Sequence, residues 1–172
     1  MTPDQIADSL AESQRIGRLV YQGFNERRLD LWDEVIAPQV ELRSSIGTMP
    51  IVGIEPLKAW AAQFHSAFRP RLDLVDELYG VGRAAIAVNL NWKHDGQFFH
   101  LEPTHRSGTS IEYFVLWLDG GRVNRFWVAD HTMDLTMYLI RERGMHYPQN
   151  FAPEPIIRGE DPARFERPSD GR

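Results

Sequence analysis

Apolar residues recur at helical spacing in the first part of the chain and at every second position in much of the rest. Ile6, Leu10, Ile16, Leu19, Val20 and Phe24 fall at roughly helical intervals, which predicts one long helix over 3–24. Its start is marked by Thr2-Pro3-Asp4-Gln5. Thr2 can cap, Pro3 suits the first helical position, and Gln5 completes a capping box. A second, short helix is expected at about 28–36, with Leu31 and Val35 on one stripe and Leu29, Trp32 and Ile36 on the next. Pro38 ends it. A third starts near Glu55-Pro56, carries Leu57, Trp60, Ala61, Phe64 and Phe68 on one face, and stops at Pro70.

Residues 39–45 and 49–52 read as short strands around Gly47. From residue 71 the period becomes two, which predicts long strands at 71–80, 84–95, 108–118 and 122–130. Asp119-Gly120-Gly121 marks a hairpin turn between the last two. A closing helix is expected at about 132–143, with Gly144 as its C-cap. Helices followed by a meander of strands predict an α+β fold, a cone-shaped α+β barrel in which one curved antiparallel sheet packs against N-terminal helices. Such a cone leaves a pocket for a small ligand. Beyond Gly144, Pro148, Pro153, Pro155, Pro162 and Pro168 are mixed with charge. The expected organisation is therefore a barrel domain over 1–144 and a Pro-rich C-terminal arm over 145–172.

Composition narrows the classes of function. A chain of 172 residues with 42% hydrophobic and 11% aromatic residues can bury a single core unaided. The absence of cysteine excludes disulfides, thiolate metal sites and cysteine nucleophiles. A net charge of −5 argues against nucleic acid or an anionic membrane as main partner. No apolar run approaches the ~20 residues of a membrane span, and Asp4, Asp8 and Glu12 do not suit a signal peptide. A cytoplasmic protein is the expectation.

An ordered set of short motifs resembles the SnoaL-like branch of the nuclear transport factor 2-like superfamily, which includes ketosteroid isomerase and small polyketide cyclases. The set begins with Asn25-Glu26-Arg27-Arg28-Leu29-Asp30, Ile36-Ala37-Pro38 and Val40, followed by Gly53-Ile54-Glu55 and Phe68. It continues with Gly96-Gln97-Phe98, Leu101-Glu102-Pro103-Thr104, Asp119-Gly120-Gly121-Arg122-Val123 and Trp127, covering about residues 10–143. The resemblance implies the cone fold, a small-molecule pocket and a homodimer with sheets paired back to back. It also implies that catalytic groups lie on the inner face of the last two strands. The histidine and aspartate of the aklanonic-acid-type cyclases match Phe114 and Val128 here. Neither can move a proton, so the chain departs from the cyclase pattern at those positions. A weaker echo of the phenazine biosynthesis A/B proteins lies in Pro50-Ile51-Val52-Gly53 and Pro148-Gln149. Their catalytic glutamate falls nearest Asp130 or His131, and their helix histidine falls on Trp60.

Candidate chemistry centres on Asp130, His131 and Glu112. Successive strand residues face opposite ways, so Asp130 shares a face with Phe126 and Val128, which the resemblance makes the cavity face. Glu112 shares a face with Phe114, Leu116 and Leu118. If Leu118 opposes Arg122, Glu112 opposes Val128 and lies diagonal to Asp130, roughly 7–8 Å away. Two carboxyls in an apolar pocket repel, one keeps its proton near neutral pH, and the pair supplies an acid and a base. The alternatives are a helix cap at Thr132 for Asp130, and a salt bridge with an arginine such as Arg43 for Glu112.

His65 is a further candidate base on the third helix, with partial exposure as its ordinary role, and His131 could orient or polarise a substrate. Arg43 could hold a carboxylate or enolate oxygen. Trp60, Phe64, Phe114, Phe126 and Val128 are candidate substrate-binding walls; Trp92 and Trp127 read as core aromatics, as do most of these. His94, His100 and His105 lack a helix to align them, so they read as polar lining and no metal is expected. No cofactor motif is present either. The expected function is a cofactor-independent enzyme doing acid/base cyclisation, isomerisation or condensation on an apolar, carbonyl-bearing metabolite. The alternative is a binding protein with the same pocket and no chemistry.

Overall fold

The computed structural model describes residues 1–44, 49–98 and 101–129, and the backbone of 158–159. Three helices pack on one side of a mixed, curved, unclosed sheet, the α+β cone expected. Helix α1 (Pro3–Asn25) begins with the capping box, Thr2 Oγ1 accepting from Gln5 N–H at 3.3 Å while Gln5 Oε1 accepts from Thr2 N–H at 2.8 Å. Its buried positions, Ser13, Ile16, Gly17, Val20, Gly23 and Phe24, form one stripe against the sheet. A 3-10 turn (Leu29–Leu31) leads into the four-residue helix α2 (Trp32–Val35). Gly23 permits a close approach there: a Cβ on it would lie 2.6 Å from Trp32 Nε1. The indole N–H instead donates to the Val20 carbonyl at 3.0 Å, so this buried donor is satisfied.

Strand β1 (Ile36–Ser44) and the short β2 (Ile51–Val52) precede helix α3 (Ile54–Phe68). Gly53, at φ 103°, turns the chain into α3 and donates to the Val40 carbonyl at 2.8 Å. The long strands follow: β3 (Arg71–Gly80), β4 (Arg83–Lys93), β5 (Ser107–Asp119) and β6 (Arg122–Ala129). The sheet order is β2-β1-β6-β5-β4-β3. Gly120 and Gly121 both have positive φ between the paired Asp119 and Arg122, so the expected hairpin is formed by a two-residue turn. A two-residue strand β7 (Arg158–Gly159) pairs with Gly108 and Thr109 of β5. The expected helix at 132–143 lies outside the described residues.

Two features depart from the sequence expectation. The sheet is not wholly antiparallel, because β1 runs parallel to β6. No hairpin joins these two strands, so long-range docking sets their relative direction. Their register shifts between Ile36 and Glu41, where Pro38 has no N–H to offer a ladder. The second departure is a bulge in the last hairpin: Trp117 pairs with Arg125 but Leu118 pairs with Val123, leaving Asn124 as the extra residue. Leu118 therefore does not oppose Arg122. Beyond the bulge Phe114 opposes Val128 and Tyr113 opposes Ala129, so Glu112 does not oppose Val128 either.

Candidate functional site

Between the helices and the sheet lies a narrow cavity. Val20 and Phe24 of α1, Trp32 of α2, and Trp60 and Phe64 of α3 form one wall. The sheet contributes Leu72, Leu90, Glu112, Phe114, Phe126 and Val128. The strand period delivers these last four, since positions 110, 112, 114 and 116 of β5 are buried along with 126 and 128 of β6. Trp60 and Phe64, four residues apart on α3, stack with centroids 5.8 Å apart. Phe114 meets Phe126 edge-on at 5.8 Å. Each of the five expected walls, Trp60, Phe64, Phe114, Phe126 and Val128, lines this space.

Among the described residues, Glu112 brings a carboxyl to an apolar and aromatic lining, and it is only 4% exposed. Ser110 Oγ donates to its Oε1 at 2.7 Å. Periodicity singled out Glu112 but not Ser110, which is 1% exposed on the same inward face of β5. Arg106, just before β5, is also buried and was not anticipated. The even-numbered phase shared by 106, 110 and 112 was the available signal, because a polar residue on an inward phase must find a partner.

Asp130 and His131 lie outside the described residues, directly after Ala129 at the end of β6. Arg43 requires a correction. It pairs across the sheet with Trp127 on the outer face, and its Nε lies 2.5 Å from Glu41 Oε1 with the side chain well exposed. It reaches neither the cavity nor Glu112, because a strand residue of that parity turns away from the cone. Trp127 is corrected for the same reason: it is half-exposed on the outer face, not core.

His65 is buried, not partly exposed, yet is absent from the cavity lining. It packs behind the lining residue Phe24, ring centroids 4.4 Å apart. Burial, reinforced by the nearby Arg27 charge, holds its imidazole down at about 4. His94 is fully buried, its Nδ1 accepting from Thr104 N–H at 3.2 Å and its ring stacked on Phe68 at 4.9 Å. Burial lowers its pKa as well. His105 is exposed, with Nδ1 3.2 Å from Asp95 Oδ1, and His100 lies outside the described residues. Among the described residues no group of three or more histidine or acidic side chains is placed to hold a metal ion. Nor is any helix among them long and apolar enough to cross a membrane.

No protein-family model matches the chain, and no curated protein sequence does. Solved structures do match. A protein described as a SnoaL-like polyketide cyclase from Jannaschia sp. CCS1 superimposes with a TM-score of 0.67 at 16% identity, covering 74% of this chain and 92% of that one. AclR from Streptomyces galilaeus, described as a hydroxylase, gives 0.66 at 17% identity over 84% of this chain and 87% of that one. A protein from Kribbella flavida described as a ketosteroid isomerase gives 0.56 at 15% identity over 70% of this chain and 78% of that one. The fold is thus that of the nuclear transport factor 2-like cone, with SnoaL-like polyketide cyclases and ketosteroid isomerase-like proteins as structural neighbours. Their descriptions differ in chemistry, so the shared scaffold leaves the reaction to the site.

Proposed function

We propose that the chain is a cofactor-independent enzyme that moves a proton on an apolar, carbonyl-bearing metabolite, in a cyclisation, isomerisation or condensation. The observation that carries this reading is Glu112, a buried carboxyl whose described neighbours in the lining are hydrocarbon and aromatic side chains. Water-poor walls strengthen the electrostatic interactions of such a group with a bound substrate. As general base, Glu112 takes a proton from the carbon beside the carbonyl while the electron pair moves onto the carbonyl oxygen; returning the proton to carbon or oxygen completes the cycle. Asp130 is proposed as the second carboxyl. It follows Ala129, whose cross-strand partner Tyr113 is the neighbour of Glu112.

A direct test is deuterium incorporation beside the carbonyl of 2-tetralone, an apolar enolisable ketone, followed by proton NMR in D₂O. Wild-type protein is expected to accelerate exchange and Glu112→Gln to lose about 100-fold or more. Equal rates for the two proteins would remove Glu112 from the mechanism. A second reading, a carrier that binds without chemistry, is favoured by Phe114 and Val128. They face one another directly across the hairpin inside the cavity, and both are hydrocarbon. Saturable binding of 2-tetralone with no exchange would support it.

A second copy of the chain is proposed to cover the outer face of the sheet, where Ile111, Tyr113 and Trp127 are exposed. Sedimentation at micromolar concentration should then report a dimer.

A further inference from the structure

The cavity is well walled but holds little free room. Its volume is about 30 Å³, enough for about one water molecule, whereas an apolar cavity of about 150 Å³ is the size that takes up benzene. A ring-bearing ligand therefore enters only when part of the wall moves. Among the described lining residues every side chain is buried except Trp60, which is half-buried and so marks where the wall meets solvent. Phe64, one turn further along α3, is held among Phe24, Phe68 and Phe98, with centroids at 6.3, 4.9 and 6.3 Å. Trp60 stacks on Phe64 at 5.8 Å with the planes 27° apart, and Pro56, Ala59 and Gln63 around it on α3 are exposed. Turning this indole outward opens the cavity and leaves the core packed; turning Phe64 breaks ring contacts on several sides.

We propose that Trp60 is the gate and the specificity-determining wall of this cavity: its indole fills the mouth of the empty site and turns outward to admit a ligand, whose own planar ring takes its place against Phe64. This rests on the cavity being the ligand site, and on no proton transfer within it. The space released has the thickness of one flat ring. Planar unsaturated rings fit it, and a saturated cage such as that of 2-adamantanone does not. Only molecules with the indole turned outward accept a ligand, so the closed fraction slows association and weakens apparent affinity.

The test is stopped-flow binding of two apolar ketones, 2-tetralone and 2-adamantanone, to the full chain. Tryptophan fluorescence reports it, because Trp32 of the wall is present in every variant. Trp60→Ala should take up 2-tetralone about tenfold faster than wild type. It should also bind 2-adamantanone, which wild type excludes. Trp60→Phe, which keeps a smaller ring at the mouth, should fall between the two, and it carries the same expectation if the alanine variant does not fold. Thermal unfolding of each variant provides the folding control. Equal association rates in wild type and the folded variants overturn the proposal. So does wild-type protein that binds both ketones equally well, or a folded Trp60→Ala that binds neither, since an opened apolar mouth admits an apolar ketone. Binding kinetics read no chemistry: faster uptake without deuterium exchange would remove the enzymatic reading and leave the gate standing. Exchange by wild type with unchanged uptake in Trp60→Ala would do the reverse.

Discussion

The two faces of the β5–β6 hairpin are built from alternate residues of the same strands, and they differ sharply. Inward, Glu112, Phe114 and Leu116 join Phe126 and Val128 in a buried surface to which, among the described residues, Glu112 brings a carboxyl. Outward, Tyr113, Val115, Trp117, Arg125 and Trp127 form an aromatic and cationic surface. Trp117 lies 4.7 Å from Trp127, and the guanidinium groups of Arg83 and Arg125 stand 5.6 Å from its ring. Those arginines are its direct cross-strand neighbours on either side. The charges outside remain in contact with water and cost little. The inner carboxyl must be held by a hydrogen bond, because a buried charge without partners is expensive. Polar residues of similar chemistry thus do surface work on one face and are candidates for site chemistry on the other.

Truncation on the two faces should separate them most clearly. Phe126→Ala removes a buried ring from the inner layer, where it also meets Trp32 edge-on. It should cost about 3–5 kcal/mol in denaturant unfolding. An effect under about 1 kcal/mol would show that the inner face is not the packed layer described here.

Next in size is the pH response of His65, behind the cavity wall. Its folded pKa of about 4 lies below the ordinary 6.5, so the unfolded chain binds more protons between these values. The neutral imidazole therefore supports the fold fully above about pH 6.5. That support is lost as pH falls toward about 4, by an amount on the order of 2 kcal/mol. His65→Phe should flatten this limb of the stability profile, and a mutant curve parallel to wild type would refute the assignment. The smallest stability effect is expected outside. Trp127→Ala should change unfolding by about 1 kcal/mol or less at concentrations where the chain is monomeric, while shifting sedimentation toward the monomer. Unaltered sedimentation of a wild-type dimer would place its contact elsewhere.

Several elements were legible from the sequence because their causes are local. The capping box at Thr2 and Gln5, the αL-permissive Gly120-Gly121 and the period-two run leading to Glu112 each act within a few residues. Backbone sterics, capping and side-chain alternation thus determined the helix start, the last hairpin and the inward placement of Glu112, Phe114, Phe126 and Val128. Tertiary structure alone decided that β1 runs parallel to β6 and turns Arg43 outward, that Asn124 bulges and moves the cross-strand register, and that His65 sits behind Phe24. It also decided that Ser110 meets Glu112 with its hydroxyl. Alternation tells which residues share a face, but partners and distances depend on how distant segments dock and on which rotamers the packed interior allows.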